Sequence, residues 1–258
     1  MVKVCVLASS SSGNSTFIGT DNTRILIDAG LNRKEIFARL AAIGEDPAKL
    51  DAIFVTHEHT DHICGLPVMM RALGSKVPVF LTHLTAPKIE WGTGEPAVET
   101  FQAGATIDLG GLSVASFTIP HDAEDPVAYA VTVEGIKISI ATDLGYIPDS
   151  VKFHLRGSHF LLLESNHHPD LLKVGPYPWH IKQRILSRKG HLSNEAACEY
   201  ISSELPAETQ MLVLGHLSEQ NNTIWEAELS AVQALEKRGL KPRLVVAEPR
   251  KQSEIFRL

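Results

Sequence analysis

The sequence predicts an α/β (α+β) fold, stacked sheets flanked by helices, organised as one domain over residues 1–258. Three observations carry this. At 258 residues, with 44% hydrophobic and 21% charged residues, the chain is long and apolar enough to bury a full core. Up to Asp143 it reads as short apolar runs divided by turn residues, and beyond Asp143 helices alternate with strands. No Gly-, Ser- or Pro-rich linker separates the two textures.

The elements follow in order. Residues 2–8 form an apolar, β-branched run, succeeded by a polar loop from Ser9 to Ser15 and by strands at 15–19 and 24–28. Asn32 with Glu35 three residues later has the form of a capping box. Ile36, Leu40 and Ile43 share a face and Gly44 supplies a stop, so a helix is expected at about 33–43. Residues 51–55 read as a buried strand and 65–73 as a helix. Strands follow near 77–81, 98–102, 105–109, 112–119, 127–133 and 136–141, the last two joined as a hairpin at Glu134-Gly135. The remainder alternates: strands at 159–164, 210–214 and 243–247, and helices near 178–188, 194–204 and 223–237. In the last helix Trp225, Leu229 and Val232 share one face.

Charge and composition narrow the function. Lys plus Arg number 24 against 30 Asp plus Glu, a net charge of −6, which excludes a protein that grips nucleic acid through a broad basic face. The balance is uneven: residues 1–170 carry 12 basic and 20 acidic groups, residues 171–258 carry 12 and 10. An acidic substrate would therefore take its side-chain contacts mainly from the C-terminal third. Cys5, Cys64 and Cys198 are odd in number and widely spaced, which argues against a disulfide framework. No apolar run approaches the roughly 18 to 20 residues of a membrane span, and the N-terminal run is too short for a secretory leader. A cytoplasmic protein without membrane partners is expected. The 12 His are an excess that suggests a metal site.

That excess is concentrated in Thr56-His57-Glu58-His59-Thr60-Asp61-His62, at the end of the strand 51–55. Residues two apart on an extended chain point the same way, so His57 and His59 can share one ion while the tightening chain offers Asp61 and His62 to a second. At this chain's composition such a pattern arises by chance in roughly one chain in a thousand. His121 and Asp143 also follow predicted strands, where loops converge on one rim.

The set Asp28, His57, His59, Asp61, His62, His121, Asp143 and His216, in that order, resembles the five motifs of the metallo-β-lactamase fold over almost the whole chain. The resemblance implies a four-layer αββα sandwich with ligands on loops along one edge. It assigns His57, His59 and His121 to one divalent metal ion and Asp61, His62 and His216 to another, with Asp143 bridging. Asp28 would orient the ligand loop without binding metal. Oxygen and nitrogen ligation suits Zn, with Mn or Fe compatible. The segments LASSSSGNST, ESNHH at 164–168, GHLSNEAA at 190–197 and GHLSEQNN at 215–222 are similar to the YycJ/WalJ-like members, relatives of ribonuclease Z and of cyclic phosphodiesterases.

This likeness implies a phosphodiester hydrolase, a nuclease or exonuclease, in which a hydroxide shared by the two ions attacks phosphorus in line. Asp61 would orient that nucleophile and His191 would protonate the leaving oxygen. The repeated Gly-His-Leu-Ser leaves His191 as the other candidate for the last ligand, but His216 follows an apolar strand whereas His191 precedes a helix that Ser193 or Asn194 can cap. Ser12 and Asn14 in the serine-rich loop, and Asn166, His167 and His168, are candidate substrate contacts; Lys182, Arg184, Arg188 and Lys189 are candidates for phosphate. His168 stands where the family usually has Asp. The 47 residues between Asp143 and His191 are too few for a capping domain, so an open cleft for single-stranded or end-bound nucleic acid, or a nucleotide-like diester, is expected. A thioesterase or lactonase of the glyoxalase II type, and a non-catalytic metal-binding protein, are the alternatives. A homodimer is an admissible assembly with no sequence feature to demonstrate it.

Overall fold

Successive side chains of a strand point to opposite faces, so strands that are apolar at nearly every position must be covered on both sides. Several strands here are of that kind. The computed structural model describes residues 1–93 and 96–258. The first half supplies β1 (Lys3–Ser10), β2 (Gly13–Gly19), β3 (Arg24–Ile27), α1 (Arg33–Ala42), β4 (Ala52–Phe54), α2 (Thr60–Ile63), α3 (Leu66–Leu73), β5 (Val79–Thr82) and β6 (Val98–Phe101). There follow β7 (Thr106–Leu109), β8 (Leu112–Thr118), β9 (Val127–Val133), β10 (Ile136–Ala141), α4 (Asp149–Leu155), β11 (Phe160–Glu164), α5 (Pro169–Val174) and α6 (Trp179–Ile185). The chain ends with α7 (Asn194–Ser203), β12 (Met211–Gly215), α8 (Ile224–Arg238), β13 (Arg243–Val246) and β14 (Phe256–Arg257).

These strands form two seven-stranded sheets, ordered β14-β1-β2-β3-β4-β5-β6 and β13-β12-β11-β10-β9-β8-β7. Between them lies a core to which the first sheet gives Val4, Val6, Ile25, Ile27 and Phe54, and the second Tyr129, Ile138, Phe160, Leu162 and Val213. The alternate residues face outward. Cys5, Leu7, Ile53 and Val55 meet α1 and α3, while Leu161, Leu163, Leu212 and Leu214 meet α4, α7 and α8. The result is the expected four-layer αββα sandwich. Among the described residues no helix is long and apolar enough to cross a membrane.

Parallel pairing sets where function can sit. In the first sheet β3 and β4 run parallel; in the second β10, β11 and β12 do, and β8 shares their direction through the antiparallel β9. Each sheet therefore collects its strand C-termini along one edge, the usual place for a site in such sheets.

Three local differences from the sequence reading have physical reasons. The serine-rich stretch is a tight hairpin rather than a loop: Ser9 and Ser10 end β1, Gly13 opens β2, and the Asn14 carboxamide bridges the turn to the Ser10 backbone. The face of α8 shared by Trp225, Leu229 and Val232 is turned outward, at 64%, 37% and 38% exposure. Its buried stripe is Ala227, Ala231, Ala234 and Leu235, whose mostly small side chains let the helix lie close to its neighbours. The short helices α4 and α5, which carry too few turns for a periodic signal, were not expected from the pattern. By contrast, Asn32 caps α1 as read, its Oδ1 accepting from Glu35 N at 3.0 Å.

One glycine fixes the approach of the first hairpin to the α2 turn. A Cβ on Gly30 would stand 1.7 Å from the carbonyl oxygen of Asp61 and 2.6 Å from Asn14 N, backbone that cannot swing aside. Gly30→Ala is expected to lower unfolding stability by roughly 1–3 kcal/mol in a denaturant titration. An unchanged midpoint would show that this junction is looser than the contacts imply.

Candidate metal centre

Most candidate side chains leave the end of a strand, and the others sit on the first turn of α2. Asp28 follows β3, His57 follows β4, His121 follows β8, Asp143 follows β10 and His216 follows β12, while Glu164 is the last residue of β11. The first turn of α2 carries Asp61 and His62, with His59 at its N-cap. Asp28, Asp143 and His216 hold φ of 63°, 63° and 55°, left-handed backbone that costs a non-glycine residue of order 1–3 kcal/mol. Three such residues at one rim point to a site that the surrounding packing over-determines.

The side chains form two adjoining groups. His57, His59 and His121 offer nitrogens within 4.8 Å of one another, and so do the donor atoms of Asp61, His62, Asp143 and His216. Asp143 lies between them: Oδ1 is 3.7 Å from His121 Nε2, while Oδ2 is 3.2 Å from His62 Nε2 and 3.4 Å from His216 Nδ1. A third grouping, of Asp143, Glu164, His191 and His216, overlaps the second.

Hydrogen bonds behind the ligands decide which ring nitrogen faces inward. The Thr56 hydroxyl donates to Asp28, at 2.9 Å from Oδ2, and can accept from His57 Nδ1 at 3.0 Å. His62 Nδ1 donates to Asp28 Oδ2 at 2.8 Å, and His121 Nδ1 to the carbonyl of Gly190 at 3.2 Å. Each leaves its Nε2 directed at the cluster, the pattern by which proteins fix metal-binding imidazoles. Burial pushes the His57 and His121 imidazoles below their ordinary value, toward the neutral form that ligation uses. For His62 burial is outweighed by the charges of Asp143, Asp28 and Asp61, which hold the ring well above that value. For Asp143 burial favours the neutral acid, but the charges of His216 and His62 outweigh it and hold the carboxyl well below its usual range.

These donors fit a metal by two observations. His57 Nε2, Asp143 Oδ2 and both ring nitrogens of His216 are buried without a hydrogen-bond partner, an arrangement that is costly unless something else binds them. Ligands about 2.0–2.1 Å from a tetrahedral ion lie about 3.3–3.4 Å apart. Here His59 Nδ1 to His121 Nε2 is 3.2 Å, His62 Nε2 to Asp143 Oδ2 is 3.2 Å and His62 Nε2 to Asp61 Oδ2 is 3.5 Å.

Other expected residues take different places. Asn14, expected at substrate, is buried behind the α2 turn, with Nδ2 3.3 Å from Asp61 Oδ2 and 3.2 Å from His62 Nε2. Asn166 is buried too, its amide donating to the His216 carbonyl at 2.8 Å, so it holds a ligand's backbone. Ser12 is exposed and donates to Glu219. His167 is buried with both ring nitrogens unpartnered, and burial lowers it to about 4, whereas His168 caps α5. Lys182, a phosphate candidate by sequence, is buried and spends its ammonium on the Lys173 carbonyl, 2.7 Å away.

The open face of the cluster is a cleft of about 310 Å³ lined by Ser11, His59, Thr60, Asp61, Asp143, Arg184, His191 and His216. His191 Nδ1 donates to Glu164 Oε1 at 2.8 Å, and Glu164 Oε2 accepts from Leu144 N at 2.5 Å. Burial opposes the imidazolium, but the charge and hydrogen bond of Glu164, with Asp143 and Asp61, raise His191 to about 9. Glu164 and Thr56 carry no role legible in the sequence alone; a Glu ending an otherwise apolar strand is the available signal.

Comparison with known proteins agrees with this fold. A family profile, the Beta-lactamase superfamily domain, matches residues 23–217. The chain is 38% identical over 237 residues to an exodeoxyribonuclease YycJ of Bacillus anthracis, covering 91% of this chain and 89% of that protein. It is 37% identical over 238 residues to an exodeoxyribonuclease WalJ of Streptococcus pneumoniae serotype 2, covering 90% and 88%. The crystal structure of the metallo-beta-lactamase fold protein YhfI from Bacillus subtilis superposes with a TM-score of 0.74 at 18% identity, covering 99% of this chain and 98% of that one.

If Asp28 aligns His62, Asp28→Asn should weaken metal binding by about 10- to 100-fold in competition with a chromogenic chelator. Unchanged affinity would remove Asp28 from the site.

Proposed function

The chain belongs to the β-lactamase superfamily, and from that premise we propose that residues 1–258 act as one hydrolase domain, a dinuclear-metal exonuclease that cleaves single-stranded or end-bound DNA. The observation that carries the reading is His191, tied to a buried glutamate at the lip of the cleft that holds the donor cluster. Identity of 37–38% to two proteins named exodeoxyribonucleases, across about nine-tenths of the chain, supports DNA as the polymer. A cytoplasmic setting goes with this reading, supported by the free thiols of Cys5, Cys64 and Cys198.

His57, His59 and His121 would hold one divalent ion, and Asp61, His62 and His216 the other, with Asp143 contributing to both. Zn is the first choice for this donor set. Such ions lower the pKa of water and neutralise phosphate oxygens.

The chain's own groups do the rest. Asp61, 23% exposed beside the cleft, can accept a hydrogen bond from the attacking water and so orient it toward phosphorus. With Nδ1 committed to Glu164, His191 presents Nε2, which donates its proton to the departing sugar oxygen. Glu164 stabilises the protonated ring while His191 waits and keeps its plane fixed. Arg184, at the same cleft and paired with Asp122, faces the phosphate. A thioesterase has less use for such a donor, because a thiolate leaves without one.

The test uses leaving groups of different basicity. His191→Ala in metal-loaded protein should reduce hydrolysis of labelled single-stranded DNA by roughly 10²–10⁴-fold. It should reduce hydrolysis of bis(p-nitrophenyl) phosphate, whose leaving group is a weak base, much less. Equal losses would contradict the acid role. Turnover of S-lactoylglutathione with no cleavage of either diester would overturn the function itself. Chelation should abolish nuclease activity and lower Tm, because bound ions stabilise only the folded state.

A further inference from the structure

One segment, 184–191, delivers more than the acid. Arg184 opens it at the catalytic cleft, Gly190 lends its carbonyl to His121, and His191 closes it. Between them Arg188 lies over the ring of Tyr146, its guanidinium carbon 4.3 Å from the ring centre. Tyr146 is three residues past Asp143, on a loop tied down at Gly145. Gly145 N donates to Pro120 O, and a Cβ there would stand 2.2 Å from the Arg188 carbonyl oxygen. The Arg188–Tyr146 stack is therefore fixed to both the Asp143 loop and the His191 segment.

Tyr146 also lines a separate cleft of about 240 Å³, with Ile147, Leu192, Ala196 and Tyr200 among its walls. Leu192 directly follows His191 in the chain, and Ala196, Glu199, Tyr200 and Ser203 lay the cleft along α7. Its volume lies below the roughly 300–1,000 Å³ of drug-sized ligand pockets, a scale that suits one heterocyclic base. Tyr146, backed by the Arg188 guanidinium outside the cleft, gives a planar aromatic wall of the kind that stacks an unpaired base without reading its sequence. Beside the apolar side chains, Lys152, Glu199 and Ser203 also line the cleft and offer polar contacts.

We propose that this cleft receives the base of the nucleotide adjoining the scissile phosphate, stacked against Tyr146 with Arg188 as the cationic partner. The proposal rests on the nuclease reading and adds a binding subsite to it. It accounts for how an acidic protein without a broad basic face could position a strand: one stacked base and the site's own charges fix the register of the chain.

The experiment pairs a protein change with a substrate change. Metal-loaded wild type, Tyr146→Ala and Tyr146→Phe are given single-stranded oligodeoxynucleotides that are intact, or abasic at the nucleotide immediately 5′ or 3′ of the cleaved bond. Tyr146→Ala should lower kcat/KM on the intact strand by roughly tenfold or more, the scale of one lost base stack, and Tyr146→Phe should restore most of it. For wild type, an abasic nucleotide on one of the two sides should produce a similar loss, and on that substrate Tyr146→Ala should cost little more. Independent, multiplying losses would overturn the subsite while leaving the nuclease reading intact. Failure of wild type to cleave any strand would overturn both, so the two failures are distinguishable. If Tyr146→Ala does not fold, Arg188→Ala carries the same cycle at the exposed face of the stack, with a smaller loss expected.

Discussion

The structure depends on a desolvated set of nitrogen and oxygen donors that the protein cannot satisfy by itself. His57, His62, His121, Asp143 and His216 are nearly or fully removed from solvent, and several of their inward atoms have no hydrogen-bond partner. In a protein interior that is an expensive arrangement. It is combined with left-handed backbone at Asp28, Asp143 and His216. A fold that tolerates both at one rim must offset them with the two-sided burial of its strands and with the binding energy of cations.

The same constraint explains the layout around the cluster. Thr56 and Asp28 fix the rings from one sheet, and Gly190, Ser9 and Asn166 fix His121 and His216 from elsewhere in the chain. The candidate donors therefore depend on contacts between the two sheets, and glycines stand at the junctions where backbone meets backbone. His191, the proposed acid, is attached to this frame through Glu164, a carboxylate with no exposed surface at the end of an interior strand. Electrostatic work is local. With a net charge of −6 the protein as a whole does not favour a polyanion, so on the proposed reading positive charge at the cluster, with Arg184 beside it, does the attracting.

How much of this was legible in the sequence depended on how local the information is. The segment 57–62 carries four donors in six residues and could be read directly, as could the order of strands, whose apolar runs are bounded by turns. His121, Asp143 and His216 lie far apart in the chain; the position of His121 and Asp143 after predicted strands suggested a shared rim, and family likeness was needed to assign all three to the cluster. Asn14 is a substrate candidate by its place in a serine-rich loop and Asn166 by family resemblance; whether such an amide faces outward or braces a donor residue depends on how strands from two sheets meet. Glu164 acts through His191, 27 residues away, and Thr56 ties His57 to Asp28, 28 residues away, links that no short pattern encodes. On α8 the large apolar residues dominated the pattern, yet the alanine stripe packs against the core.

The central claim, that this rim holds two cations with Asp143 between them, is tested most directly by anomalous diffraction from crystals of the zinc- or manganese-reconstituted protein, collected on both sides of the metal's absorption edge. The account predicts two peaks, one bounded by His57, His59 and His121 and one by Asp61, His62 and His216, each within ligating distance of Asp143. A single peak, or a second peak held by Glu164 and His191 instead of His62, would contradict it.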